Sequence, residues 1–229
     1  MGEITAGKIF PEREEVLRYL GYHGQELSPK LEEDLGQCME KIYEEARPRS
    51  VWRRFPLRRE KAGIAVEGTA LTLTGQDIAN LLAGSNECIL LAVTLGSQVE
   101  RLLGYTQQLS MTKALLMDSA ATAMVEAVCD DLESRLRSQI ETEGLELTWR
   151  YSCGYGDLPL ALQKDFLDAL DAQKRIGLTC NGDFIMIPRK SVTAVMGVGE
   201  KRTVRQPACS ACSYNESCNL RKAGKSCGR

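Results

Sequence analysis

A single histidine, His23, in a chain of 229 residues removes much of the proton chemistry that enzymes run near neutral pH. A Ser-His-Asp or Cys-His arrangement is confined to its surroundings, and these read Gly21-Tyr22-His23-Gly24, the sequence of a surface loop. Neither a P-loop nor the G-x-G-x-x-G turn of a dinucleotide fold is present. No apolar run reaches about eighteen residues, and no charged-then-apolar leader follows Met1, so neither a membrane span nor a secretory signal is expected. Charge of one sign is missing too: 29 Lys and Arg against 31 Asp and Glu leave a formal net of -2, and no global field argues for nucleic acid. The expected setting is the cytoplasm, with no membrane or nucleic-acid partner.

Cysteine, in contrast, is plentiful. In a reducing compartment the nine thiols are not expected to pair as disulfides, so they need another explanation where they cluster. The chain is long enough to bury a sizeable core. Its composition changes near residue 200, which divides it into a main domain, 1–200, and a Cys-rich tail, 201–229.

The main domain alternates helical and extended patterns, with no long linker and no internal repeat. Pro11 to Tyr22 and Ser28 to Ala46 read as helices, the second with Ser28 as N-cap, Pro29 at the first position and Pro48 as the stop. Residues 63–74 alternate apolar and polar around Glu67-Gly68, which predicts a strand pair, and Thr74 is a candidate cap for a short helix from Asp77 to Leu82. Cys88 to Thr94 is an unbroken apolar run closed by Gly96, as in a central buried strand. Helical spacing returns from Ser97 to about Leu109 and from Thr112 to Glu141. The buried stripe of the second helix is expected to be Ala114, Leu115, Met117, Ala121, Met124, Val125, Val128, Leu132 and Leu136. Leu145 to Tyr151 reads as a strand, Leu160 to Lys174 as an amphipathic helix, and Phe184 to Ile187 with Ser191 to Val198 as a closing hairpin or two strands. The predicted class is α+β, built on a mixed or antiparallel sheet.

Arg150-Tyr151-Ser152-Cys153-Gly154-Tyr155-Gly156 is the most distinctive segment. A guanidinium presents a planar fork of donors suited to a carboxylate. Gly154 lets a ligand approach the main chain, and Tyr155 offers a flat apolar face with a polar edge, suited to an adenine or ribose. A structural arginine at a strand end, followed by a Gly-Tyr turn, is the plainer reading of the same residues.

The segment resembles the R-x-x-x-G-Y-P motif of the activation domain of cobalamin-dependent methionine synthase, which binds S-adenosylmethionine (AdoMet). Phe184-Ile185-Met186-Ile187-Pro188-Arg189-Lys190-Ser191-Val192 is similar to that family's second motif, F-x-M-x-P-x-x-S-V. The run Cys88 to Leu103 is similar to the family's strand ending in A-V-T-x-G and the helix that follows it, and Met124 to Leu132 resembles the family's long helix. The resemblance implies the activation-domain fold and AdoMet as ligand. It implies that Arg150 holds the ligand carboxylate, that Ser152, Gly154 and Tyr155 line the adenosine side, and that Glu126 supports the polar end. Glu126 is otherwise an ordinary helix carboxylate. Where the family has proline this chain has Gly156, which predicts a more flexible turn. His23 lacks the D-x-H-x-x-G setting of proteins that bind cobalamin through histidine, so cobalamin is expected only on a partner.

The implied function is that of a stand-alone activator, binding AdoMet and supporting reductive methylation of cob(II)alamin on a methionine synthase, with a flavodoxin or ferredoxin as electron donor. No residue is expected to act as acid or base. Two other readings remain: an activator of another corrinoid methyltransferase, or a non-catalytic scaffold that has lost AdoMet. Whether the chain counts as an enzyme or as an accessory component is left open.

In the tail, Cys209-x2-Cys212-x5-Cys218-x8-Cys227 sets four thiols among Lys201, Arg202, Arg205, Arg221, Lys222, Lys225 and Arg229, with few apolar residues to form a core. Four thiolates suit an iron-sulfur cluster or tetrahedral zinc, and nearby cations favour either; a disordered tail with redox-active thiols is the third reading. Cys38, Cys88, Cys129, Cys153 and Cys180 read as core or turn residues, with Cys153 the one that could be reactive. Cobalt reduction needs a low-potential electron, and zinc has no redox step to offer. Anaerobic reconstitution is therefore expected to yield iron bound to the four tail cysteines, with absorption and paramagnetic resonance spectra of a cluster. Stoichiometric zinc without iron on the same sample would end the relay idea.

Overall fold

The computed structural model describes residues 6–200 except His23 and Gln25. The single histidine and Cys209, Cys212, Cys218 and Cys227 lie outside the described residues. In chain order the elements are α1 (Arg13–Tyr19), α2 (Pro29–Glu45), β1 (Arg49–Glu60), β2 (Gly63–Val66), β3 (Thr72–Leu73), α3 (Gln76–Leu82), β4 (Ser85–Thr94), α4 (Ser97–Leu109) and α5 (Met111–Thr142). Then come β5 (Glu146–Leu147), a 3-10 turn (Leu160–Leu162), α6 (Gln163–Ala169), α7 (Ala172–Ile176), β6 (Thr179–Cys180), β7 (Met186–Ile187) and β8 (Ser191–Gly199).

The apolar run in β4 dictates the layering. Successive strand side chains point to opposite faces, so a strand apolar on both needs cover on both. Ile89, Leu91 and Val93 enter one core, closed by α1, α2, α4 and α5. Cys88, Leu90 and Ala92 enter the other, closed by α3, α6, α7 and the β2–β3 hairpin. Six strands form one sheet in the order β3-β2-β1-β4-β8-β5, with every pairing antiparallel. The sheet is thus antiparallel rather than mixed.

The strand β1 has no counterpart in the sequence reading. Arg53, Arg54, Pro56, Arg58 and Arg59 interrupt its apolar pattern. The arginines are accommodated by partners instead: Arg53 donates to the Ala169 carbonyl, Arg54 to Glu87 and Glu143, and Arg59 to the carbonyls of Leu82 and Ser85. Residues up to Pro56 pair with β4, and those from Leu57 on pair with β2.

Several helix limits match their local signals. Ser28 Oγ accepts from the Leu31 N–H at 3.3 Å with Pro29 at the first position of α2, which ends at Glu45, ahead of Pro48. Others differ. The Leu160–Lys174 helix is broken into three pieces, with Asp171 at φ 53 between α6 and α7. On α5, Leu115 is exposed, and Leu116 takes the inward position. Thr74 does not cap α3, whose N-terminus is held by Asp157, 80 residues away. The segment Phe184–Ile187 does not form a hairpin with β8: β7 pairs with β6, and β8 slots between β4 and β5.

The ion pair from Asp34 on α2 to Lys113 at the start of α5, 3.0 Å, clips two helices of one core together. The Lys113 ammonium holds the Asp34 carboxyl below its ordinary range. A depressed carboxyl contributes stability that is fully present above the unfolded-state value and is lost as pH falls through the lowered one. Asp34→Asn is therefore expected to melt earlier than the parent at neutral pH, with the difference shrinking below about pH 4. Thermal melts of both proteins across that range measure it.

Candidate functional site

The residues of the first motif are positioned by one extra residue. Leu147 lies opposite Val198, yet Tyr151 lies opposite Val195, so this segment takes four steps while β8 takes three. A one-residue insertion of this kind switches which face later side chains meet. Leu147 accordingly packs in the α5-side core, whereas Trp149 and Tyr151 pack against the other. Thr148 fastens the irregularity, its N–H donating to the Gly197 carbonyl and its Oγ1 accepting from the Gly197 N–H. Between Trp149 and Tyr151, Arg150 is turned toward α5.

There its guanidinium meets three carboxylates from successive turns of one helix. Nε is 3.0 Å from Glu133 Oε2, Nη2 is 2.5 Å from Asp130 Oδ1, and Nη1 is 3.4 Å from Glu126 Oε2. Nη1 is buried with no hydrogen bond to an oxygen or nitrogen. Glu133 also accepts from Arg137, whose guanidinium donates to the carbonyls of Leu147 and Thr148. Burial opposes the charge on Arg150, and its neighbours Cys129, Glu126, Asp130 and Glu133 together more than offset it. Tyr19 of α1 reaches the same cluster: burial first, then the Glu126 charge, raises its phenol. The motif residues Glu126 and Arg150 are therefore neighbours, joined by Asp130, Glu133 and Tyr19. The 126, 130, 133 spacing, which stacks three carboxylates on one helix face, was the available signal for the first two.

Ser152, Gly154 and Tyr155 form a compact turn beyond Arg150. Tyr155 N–H donates to the Ser152 carbonyl, Gly154 N–H to the Leu158 carbonyl, and Leu158 N–H back to the Tyr155 carbonyl. Gly154 has φ 87, and its Cα faces Leu160 so closely that a Cβ would sit 3.3 Å from Cδ1. The Tyr155 ring is left 66% exposed, an apolar face open to solvent. Cys153 is buried, and burial pushes its pKa up to about 12, which opposes the thiolate that a reactive role would need. The second motif leads straight into β8, the strand to whose Val195 Tyr151 bridges. Lys190 reaches α5 at Asp118 (2.8 Å) and Thr122 (2.9 Å), and Ser191 Oγ donates to the Pro188 carbonyl.

Among the described residues, no group of three or more His, Cys, Asp or Glu could hold a metal ion, and no helix is long and apolar enough to cross a membrane.

An antiparallel sheet covered by long helices on one face and short ones on the other defines the fold class. Compared with solved structures, the chain is similar to a crystal structure of the MetH reactivation domain bound to AdoHcy, with a TM-score of 0.61 over 92% of this chain and 80% of that one. The sequence identity is 16%, and the fold is that of the reactivation domain. No family model and no curated protein matches the sequence.

With three carboxylates turned on it, Arg150 ties the irregular segment to α5. Arg150→Ala is expected to lower the unfolding free energy by about 1–3 kcal/mol, the scale of losing hydrogen bonds to charged groups. Arg150→Lys should recover less than half, because a point charge cannot serve three acceptors in a fork. Urea unfolding of the three proteins tests this, and an unchanged midpoint in the alanine variant would show that the network contributes nothing.

Proposed function

We propose that the protein binds AdoMet at the surface formed by Glu126, Arg150 and the Ser152–Tyr155 turn, and that it supports reductive methylation of a corrinoid held by a partner protein. What carries the reading is the fold shared with a reactivation domain that was crystallised with AdoHcy, AdoMet less its methyl group, together with the meeting of Glu126 and Arg150 at 3.4 Å.

The charge balance of the cluster fits that ligand. Glu126, Asp130 and Glu133 give three negative charges against two from Arg150 and Arg137, an excess of one. AdoMet, with an ammonium, a sulfonium and one carboxylate, carries a net charge of +1. In this reading the Arg150 guanidinium turns from its helix carboxylates to meet the ligand carboxylate. The acidic side chains face its cationic end, and Tyr155 covers the adenosine. An external one-electron donor, a flavodoxin or ferredoxin, would convert cob(II)alamin to cob(I)alamin. The methyl group then passes from sulfur to cobalt: the cobalt electron pair forms the new bond, and the S–C bond pair stays on sulfur. No proton moves, so the work of the protein is placement. The acceptor is a methionine synthase in the first instance, and the stand-alone activator role belongs to this proposal.

Calorimetric titration tests the reading. AdoMet should bind, and Tyr155→Ala should weaken it about tenfold, on the scale of one base-aromatic stacking contact. Glu126→Gln should weaken AdoMet more than AdoHcy, because only the former carries the sulfonium charge. Absence of AdoMet binding at millimolar ligand would refute the assignment.

A further inference from the structure

The turn that presents Tyr155 is clasped to the start of α3 from both sides. The Asp157 carboxylate accepts the backbone N–H groups of Gln76 (2.5 Å) and Asp77 (3.1 Å). It can do so only because Gly75 has no side chain: a Cβ there would lie 2.5 Å from Asp157 Oδ1. The reverse holds one residue away. Gly156, at φ 50, leaves room for Asp77 and Tyr151, since a Cβ on it would lie 2.3 Å from Asp77 Oδ2 and 2.2 Å from Tyr151 Oη. Each segment thus lays an aspartate over a glycine of the other. The Tyr151 hydroxyl sits between them, 3.4 Å from Asp77 Oδ2 and 3.2 Å from the carbonyl oxygen of Tyr155. Its one proton serves one of these acceptors at a time, at distances longer than the usual O–H···O bond.

We infer that Tyr151, Asp77 and Asp157 are positioning residues for Tyr155, and that Gly156 is the residue that allows them to close on it. The inference rests on the proposed AdoMet site. A proline at 156 cannot occupy this geometry, since its ring fixes φ near −65°. The glycine that stands in place of the motif's proline is therefore coupled to Tyr151 and Asp77: the turn that proline would stiffen by its own ring is held here by a side chain of its own segment and one from α3. Tyr155 needs such support, because its ring projects into solvent and its neighbour Gly154 adds conformational freedom.

The test combines amide hydrogen exchange with AdoMet titration on Tyr151→Phe, Gly156→Ala, Asp157→Ala and Asp157→Asn. Tyr151→Phe should speed exchange at the Tyr155 and Leu158 amides and weaken AdoMet about three- to tenfold, the range of one neutral hydrogen bond, with the melting temperature nearly unchanged. Gly156→Ala should act in the same direction, and adding Tyr151→Phe to it should do less than the sum of the two, because both break one contact. Asp157→Ala should weaken AdoMet as well, whereas Asp157→Asn should retain affinity, because an amide oxygen can still accept at a helix start. If the parent binds AdoMet and Tyr151→Phe and Gly156→Ala bind equally well with unchanged exchange, the positioning role is overturned while the AdoMet reading stands. If the parent does not bind AdoMet, the functional reading falls and the positioning role with it, whatever the exchange shows.

Discussion

Burial of β4 on both faces is the constraint from which the rest of the fold follows. Every residue from Cys88 to Gly96 is buried, so water must be excluded from two sides of one strand. An antiparallel sheet with one solvated face cannot do that. The chain answers with long helices on one side and short ones on the other, and each side completes its own core. Beside β4, the strand β8 is buried almost as fully, and it is the strand that both sequence motifs touch: the second motif leads into it, and Tyr151 of the first bridges to its Val195. The candidate site is therefore built outward from the most deeply buried strands of the sheet.

The sequence made the centre of the fold legible, and the reason is local. The run at 88–94, the Ser28 cap and the 3.6-residue rhythm of α5 are signals a segment carries by itself. The strand β1 was not legible, because Arg53, Arg54 and Arg59, which interrupt its apolar pattern, find their partners on other elements, such as the Ala169 and Leu82 carbonyls. The same holds for the site. Arg150, Gly154 and Tyr155 lie in one short segment and were readable as a motif. Asp157 as the cap of α3, and Asp77 as the neighbour of Gly156, join positions 80 residues apart and leave no mark in either stretch alone. Thr74, a good cap by local rules, lost that role to a carboxylate delivered by the fold.

Glycine at 156 shows how a departure from a pattern can be read in two ways. As sequence it predicts a looser turn. In the folded chain it is the space into which two side chains from elsewhere are fitted, so the absence of a side chain is itself a packing feature. The same logic governs the extra residue between Leu147 and Tyr151: a local irregularity of the ladder carries Arg150 to one side of the sheet and Tyr151 to the other.

The buried thiols acquire a meaning if the proposed methyl donor binds beside them. Thiolates are strong nucleophiles, and a sulfonium methyl group is transferred to whichever nucleophile reaches it. Cys129 lies beside Arg150, whose charge favours the thiolate, and Cys153 sits inside the turn, yet burial pushes both up to about 12. Both thiols are thereby held toward the protonated form at neutral pH. If AdoMet binds as proposed, these two buried, protonated sulfurs would be poor competitors for its methyl group.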